Sequence, residues 1–213
     1  PRQVLVVVLG RIRHGDLPGV EMTGEDEIED ARLQPVDHLR EVAEEDPELC
    51  IRVGEPLPVF PLHHTDGTVT TSAELTVRPH VIMFYRGSWC PFCMVQIREL
   101  AEQYRELDRR GVGVALISAQ RAADTATLAT KFDIPMRFYV DVDGAAAKEL
   151  DLVQVGGTPA IYSAGTNGDT TVPTVVITDA RGTVLWVDST DNHRIRPEPI
   201  AFLEVLDRAG ITA

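Results

Sequence analysis

Cysteine is scarce in this sequence: only Cys50, Cys90 and Cys93 occur among the 213 residues. Three cysteines do not make the disulfide framework that holds small secreted domains together, so a reducing compartment with a few working thiols fits better. The composition is otherwise that of a globular protein, with 44% hydrophobic and 25% charged residues. It supplies enough apolar material for one core and excludes a wholly disordered chain.

Positive charge and long apolar runs are also lacking. Lys and Arg total 20 against 33 Asp and Glu, a formal charge of −13. Because phosphate binding needs concentrated positive charge, this balance disfavours a general binder of nucleic acid or anionic membranes. No apolar run approaches the roughly 20 residues of a membrane span. The longest, residues 4–9, is short even for the core of a signal peptide. We therefore predict a cytoplasmic protein with neither a nucleic-acid nor a membrane partner.

The negative charge is unevenly distributed along the chain. Residues 1–55 hold 14 acidic and 6 basic residues, a net charge of −8, and the acidic run at 25–30 repels itself and is typical of a solvated loop. A strand is predicted at 4–9 and a short helix at 37–45. We therefore divide the chain into an acidic N-terminal extension, residues 1–50, and a globular domain, residues 51–213.

Residues 51–213 alternate between apolar runs of strand length and amphipathic helical segments. Strands are predicted at 57–62, 68–71, 80–85, 112–118, 136–142, 174–178 and 183–188. Helices are predicted at 90–110, 122–132, 145–150 and 199–209, with a long loop at 153–171. This order predicts an α/β fold in which helices flank both faces of a central mixed β-sheet.

The strongest local signal is the segment YRGSWCPFC at residues 85–93, where a buried strand is predicted to pass into an amphipathic helix. A thiol at a helix N-terminus meets unpaired N–H groups and the positive end of the helix dipole, and both favour the thiolate. The CxxC spacing places Cys90 and Cys93 on one helical face, within reach of a disulfide. Pro91 suits the first helical position.

Other interpretations of this cysteine pair are two core residues, half of a zinc site, or a remnant on a fold used for something else. Zinc is disfavoured because the chain has no second CxxC, and the remaining candidates lack recognisable ligand spacing. These candidates are Cys50, His63, His64 and His80.

The segment at 85–93 resembles the FYRGxWCPYC segment of peroxiredoxin-like proteins of the alkyl hydroperoxide reductase/thiol-specific antioxidant (AhpC/TSA) group, within the thioredoxin-fold superfamily. GEPLPVFPL at 54–62 is similar to the group's opening G-x-x-x-P-x-F-x-L, and the Asp66–Gly67 turn falls where its first hairpin turns. VPT at 172–174, followed by an apolar strand, resembles the cis-proline strand of thioredoxin-like redox proteins. The likeness covers about residues 51–209 and implies a thioredoxin-like fold.

The resemblance also implies roles for individual residues. Cys90 is expected to be the exposed nucleophile, and Cys93 the partner that resolves a mixed disulfide or sulfenate. Pro173 is expected to be cis and to lie beside the cysteines, with the Val172 backbone pairing an incoming substrate. Trp89 is expected to be a packing residue and a platform for substrate.

Two departures from the peroxiredoxin pattern leave the nucleophile for peroxide open. Peroxiredoxins carry P-x-x-x-T-x-x-C before the peroxidatic cysteine, and alignment on Cys93 puts Arg86 at the Pro and Cys90 at the Thr. The later-strand arginine that polarises the peroxide is replaced by Pro173. Cys93 thus holds the peroxidatic position by alignment, whereas Cys90 holds the nucleophile's position in thioredoxins. Arg86 is either a local cation that lowers a thiol pKa and binds substrate, or a surface arginine.

The sequence therefore predicts a thiol-dependent oxidoreductase that reduces hydroperoxides or disulfides through its CxxC pair. Sulfur supplies such chemistry, so no organic cofactor or metal is expected. Electrons would come from a thioredoxin-like protein or a low-molecular-weight thiol. The strand predicted at 4–9 could pair within the chain or across a homodimer. The alternative is a thioredoxin-fold module repurposed for substrate binding or a biosynthetic step, in which the acidic extension and the loop at 153–171 build a new pocket.

Overall fold

The computed structural model describes residues 50–213 except 133, 190, 191, 193 and 195. The strand predicted at 4–9, the helix predicted at 37–45 and the acidic run lie outside the described residues. The division of the chain at residue 50 therefore stays a prediction. Within the described part, no helix is both long and apolar enough to cross a bilayer.

A seven-stranded mixed β-sheet lies at the centre of the fold. Its strands are β1 (Pro61–His63), β2 (Val69–Thr71), β3 (His80–Phe84), β4 (Gly113–Ser118), β5 (Arg137–Val140), β8 (Thr174–Thr178) and β9 (Val184–Ser189). They lie in the order β2-β1-β5-β4-β3-β8-β9, in which β3, β4 and β5 are parallel and the outer pairings are antiparallel. Two further short strands, β6 (Val153–Gln154) and β7 (Thr170–Thr171), pair antiparallel in a separate ladder.

Helices cover both faces of this sheet, as the sequence predicts. They are α1 (Ser72–Leu75), α2 (Pro91–Arg109), α3 (Ala122–Ala129), α4 (Ala145–Glu149) and α5 (Pro199–Arg208). The central strand β3 is buried along its whole length, with Ile82 and Phe84 in a core cluster that includes Ala146 of α4. Because strand residues alternate, Val81 and Met83 fill the opposite side of the sheet. This arrangement confirms the predicted α/β class.

Several element boundaries differ from the sequence prediction. The strand expected at 57–62 begins only at Pro61, because the segment before it bonds elsewhere: the Leu57 N–H donates to the Gly182 carbonyl at 2.9 Å and the Phe60 N–H to Ser72 Oγ at 3.0 Å. The expected loop at 153–171 contains the β6–β7 ladder and a 3-10 turn at Ala160–Tyr162. Elements of two to four residues carry too little periodicity to be read from sequence.

Asp141 is a buried carboxylate that caps the start of α4. Its side-chain oxygens accept hydrogen bonds from the backbone N–H groups of Ala146, at 2.8 Å, and Ala147, at 3.0 Å. These amides belong to the first turn of α4, where no intrahelical partner exists. The carboxylate thereby ties the end of β5 to the helix that covers one face of the sheet.

We expect Asp141→Asn to lower the free energy of unfolding by about 1–2 kcal/mol, because an amide offers only one acceptor oxygen to the two N–H donors. Urea unfolding followed by circular dichroism measures the change. Asp143→Asn is the matched control, since that side chain is exposed and Asn tolerates the left-handed backbone at this position (φ 55°). Equal losses in the two variants would contradict the capping role.

Candidate active site

The CxxC pair lies where β3 passes into α2, as the sequence predicts. Cys90 immediately precedes the first helical residue, Pro91. The Cys90 N–H donates to the Gly87 carbonyl at 3.1 Å, and the Cys90 carbonyl accepts the Met94 N–H at 3.1 Å, the first backbone bond of the helix. Cys90 therefore has the position in which unpaired helix N–H groups and the helix dipole favour a thiolate.

Both thiols of the pair are reduced and buried: Cys90 is 1% exposed and Cys93 is 0% exposed. The expectation that Cys90 is exposed is therefore wrong. The reason is the direction of its side chain. The Cys90 side chain turns towards Cys93, which acts on its sulfur, rather than into solvent.

The electrostatics distinguish the two cysteines sharply. The pKa of Cys90 is lowered to about 5, chiefly by the interaction with the Cys93 thiol and also by the Cys93 backbone N–H, Arg86 and Arg196, against the opposing effect of burial. The same interaction, with burial and the nearby Cys90 charge, raises the pKa of Cys93 far above its ordinary value. At neutral pH the site therefore pairs a Cys90 thiolate with a Cys93 thiol.

Arg86 connects the cysteine motif to the loop at 155–169. Its guanidinium donates to the Gly157 carbonyl at 2.9 Å and lies 4.9 Å from the centre of the Trp89 ring, within cation–π range. Its own carbonyl accepts a hydrogen bond from Thr170 Oγ1 at 2.9 Å. The loop is thus bonded to Arg86 near both of its ends. The charge of Arg86 also helps to lower the pKa of Cys90, while its part in substrate binding stays a prediction.

Trp89 forms one wall of a cleft beside the motif. Its ring stacks on Tyr162 with centroids 6.1 Å apart and planes 13° from parallel. Gly87 permits this position of the indole, since its φ is +152° and a Cβ there would lie 2.4 Å from Trp89 Nε1. The cleft measures about 270 Å³ and is also lined by Ser88 and Gln120. Its size and position are compatible with the predicted platform role of Trp89.

The expectation of a cis peptide bond before Pro173 is wrong: the Val172–Pro173 bond is trans. Trans is the intrinsic preference of X–Pro bonds, and here the extended chain leaves β7 with the Val172 N–H bonded to the Leu152 carbonyl at 2.7 Å. The Val172 carbonyl accepts a hydrogen bond from Thr174 Oγ1 at 3.1 Å. Both backbone groups expected to pair a substrate are therefore engaged within the chain.

The chain is similar to a known protein family. A model described as AhpC/TSA family matches residues 53–187. The chain belongs to the AhpC/TSA family. Among curated proteins, no sequence matches this AhpC/TSA protein.

Solved peroxiredoxin structures share the fold of this AhpC/TSA protein. Peroxidoxin BcpB from Mycobacterium tuberculosis is 19% identical, with a TM-score of 0.58 over 75% of this chain and 97% of that chain. A mutant of peroxiredoxin 6 of Arenicola marina is 17% identical, with a TM-score of 0.64 over 75% and 74%. Peroxiredoxin 5 from Alvinella pompejana is 15% identical, with a TM-score of 0.61 over 74% and 99%. At these identities the likeness establishes the thioredoxin-like fold.

Two residues of the site, Gln120 and Arg196, could not be identified as site residues from the sequence. Gln120, which follows β4, accepts the Ser88 N–H at 2.7 Å and donates to the Tyr85 hydroxyl and to Thr125 Oγ1, both at 3.1 Å. It holds the loop before Cys90 from the neighbouring strand. Arg196, which follows β9, places Nη2 at 3.8 Å from Cys93 Sγ. Neither residue lies in a motif, and both reach the site only through the fold.

The third cysteine, Cys50, differs from the CxxC pair in its exposure and in its hydrogen-bond partner. Cys50 is exposed, and its thiol donates to Asp151 Oδ2 at 2.8 Å, a bond that raises the Cys50 pKa. Among the described residues there is also no group of three or more His, Cys, Asp or Glu side chains placed to hold a metal ion. Of the three cysteines, only Cys90 has a lowered pKa.

We expect Arg86→Gln to speed amide hydrogen exchange in the loop at 155–169 by about tenfold, because the variant loses a charge-assisted bond to Gly157. Exchange followed by mass spectrometry measures the loop peptide. Arg121→Gln is the matched control, since Arg121 lines the same cleft but bonds to Asp124. Similar exchange in both variants would contradict an anchoring role for Arg86.

Proposed function

We propose that this AhpC/TSA protein is a thiol-dependent peroxidase in which Cys90 reacts with a hydroperoxide and Cys93 resolves the product. The observation that carries the proposal is the Cys90 thiolate at the start of α2, held by a hydrogen bond from the Cys93 thiol. Membership of the AhpC/TSA family supports a hydroperoxide as the oxidant.

In the first step the Cys90 thiolate attacks the terminal oxygen of the hydroperoxide, and the O–O bond breaks. The alkoxide or hydroxide that departs takes up a proton from solvent and leaves as alcohol or water, and Cys90, oxidised by two electrons, becomes a sulfenic acid. In the second step Cys93 loses its proton and its thiolate attacks the Cys90 sulfur. Water leaves, and a Cys90–Cys93 disulfide remains. Within the protein, the two sulfur atoms carry all of the redox change, and the peroxide oxygens are reduced.

The burial of Cys90 sets a condition for the first step. A hydroperoxide reaches the sulfur only when the loop before Cys90, which carries the cleft wall of Ser88 and Trp89, opens locally. A thioredoxin-like protein or a low-molecular-weight thiol then returns two electrons to the disulfide. Such a donor attacks one sulfur, passes through a mixed disulfide and leaves oxidised.

Disulfide reduction is the second candidate activity. It is favoured by the position of both cysteines within one turn at a helix start, with the low pKa on the first of them. A thiolate with a pKa below neutral is an effective leaving group and attacks a disulfide at physiological pH. The low pKa of Cys90 also argues against the alternative of a thioredoxin-fold module that only binds a substrate. Binding alone does not require a thiolate.

The test uses reduced, desalted protein mixed with one equivalent of hydrogen peroxide or, separately, of insulin disulfide. Loss of peroxide together with a Cys90–Cys93 disulfide, identified by peptide mass, is the expected result. The Cys50→Ser variant, which keeps the pair, should behave like the wild type. Reaction with insulin but not with peroxide would contradict the peroxidase proposal and favour disulfide reduction. Reaction with neither oxidant would contradict both proposed activities.

A further inference from the structure

Arg196 lies beside Cys93, the cysteine that does not react in the first step of the proposed cycle. Arg196 belongs to the segment between β9 and α5, and its Nη2 lies 3.8 Å from Cys93 Sγ although 103 residues separate the two in sequence. A sulfur atom accepts hydrogen bonds at this longer distance. The guanidinium therefore faces the sulfur that must lose a proton in the second step, where a nearby positive charge favours the thiolate.

A half-buried carboxylate, Asp188, lies in the same region. In β9, Val187 belongs to the core cluster on one face of the sheet. Trp186 and Asp188 therefore share the other face, where the Trp186 ring packs at 5.8 Å from Phe202 of α5. Helix α5 packs against α2, which carries Cys93. Burial raises the pKa of Asp188 to about 6 and Arg196 lowers it, so the carboxylate and the guanidinium interact.

The charges around Cys93 change during the proposed cycle. In the reduced protein the negative Cys90 sulfur holds the Cys93 proton in place. Oxidation of Cys90 to a neutral sulfenic acid removes that charge. Arg86 and Arg196 are the cations that act on the pair, but the bonds of the Arg86 guanidinium are to the loop and to Trp89. The Arg86 backbone N–H also acts on Cys93, but Arg196 is the cation whose guanidinium contacts the Cys93 sulfur.

We propose that Arg196 is a further catalytic residue, which stabilises the Cys93 thiolate as it forms and attacks the oxidised Cys90. The proposal rests on the proposed function and concerns its second step. There Cys93–SH gives up its proton, a Cys93–Cys90 S–S bond forms and the S–O bond of the sulfenic acid breaks. The departing hydroxide takes up one proton and leaves as water, so that electrons and atoms balance.

The experiment separates the two steps by the fate of the sulfenic acid. In a Cys50→Ser background, each variant receives one equivalent of hydrogen peroxide in the presence of dimedone, which traps sulfenic acids. Mass spectrometry then gives the ratio of the Cys90 dimedone adduct to the Cys90–Cys93 disulfide. Stopped-flow fluorescence measures the rates of the two steps without the trap. The variants are Arg196→Gln, Arg196→Lys and, as the matched control on the same segment, the exposed Arg194→Gln.

We expect Arg196→Gln to slow disulfide closure by about 10- to 100-fold, to leave peroxide consumption in the first step within about threefold, and to shift the ratio towards the trapped adduct. Arg196→Lys should restore part of the rate, and Arg194→Gln should match the background. An unchanged ratio in Arg196→Gln would overturn the inference, as would an equal slowing of both steps. Background protein that yields neither adduct nor disulfide would instead overturn the proposed function and this inference with it.

Discussion

Cys90→Ser is expected to lower the rate of peroxide consumption by at least about a thousandfold, the largest loss among the variants considered. A serine hydroxyl does not ionise near neutral pH, so the substitution removes the nucleophile while changing the side chain by one atom. Cys93→Ser should behave differently, because Cys93 acts only in the second step. The Cys93→Ser variant should still react once with peroxide. It should consume one equivalent and stop at a sulfenic acid on Cys90.

Single-turnover peroxide consumption and peptide mass after trapping check this pair of variants. Urea unfolding confirms that each variant is folded, and Cys50→Ser should retain full activity because its thiol bonds to Asp151 and not to the pair. If instead Cys90→Ser consumed one equivalent and Cys93→Ser none, Cys93 would be the peroxidatic residue. The position of Cys93 in the peroxiredoxin pattern would then outweigh the low pKa of Cys90.

The sequence predicted the part of the fold that depends on local pattern. The apolar run of β3, the proline at the start of α2 and the regular apolar face of that helix all act within a few residues. They located the cysteine pair at a strand-to-helix junction. The helix α1 and the ladder of β6 and β7 were missed, because elements of two to four residues depend on the packing around them rather than on their own periodicity.

The site was predictable in its motif and not in its surroundings. Spacing placed Cys90 and Cys93 on one turn, but it does not fix the direction of a side chain, and the Cys90 thiol lies inward. The expected cis bond before Pro173 came from likeness alone, and it failed where the Val172 N–H bonds to Leu152. Arg196 approaches Cys93 across 103 residues of sequence, a contact that only the tertiary structure supplies.

The alkylation rate of Cys90 is expected to show an acid-shifted pH profile. Its pKa is lowered from 9.0 to about 5, so the thiolate, the reactive form, is present in full above about pH 6. The rate with iodoacetamide should therefore be flat from about pH 6 upwards and fall about tenfold per unit below about pH 5. A thiol with a pKa of 9.0 would have only about one molecule in a thousand ionised at pH 6.

Cys93→Ala tests the cause of the shift, since the bond from the Cys93 thiol is the largest contribution to the low pKa of Cys90. Without that donor the alkylation profile should move to higher pH and the rate at pH 5 should fall. Cys93→Ser keeps a hydroxyl donor and should lie between Ala and the wild type. These measurements need the Cys50→Ser background, because the exposed Cys50, whose pKa is raised, also reacts at alkaline pH. An unmoved profile in Cys93→Ala would assign the low pKa to the helix start and the nearby arginines, and Cys93 would then act in the resolving step alone.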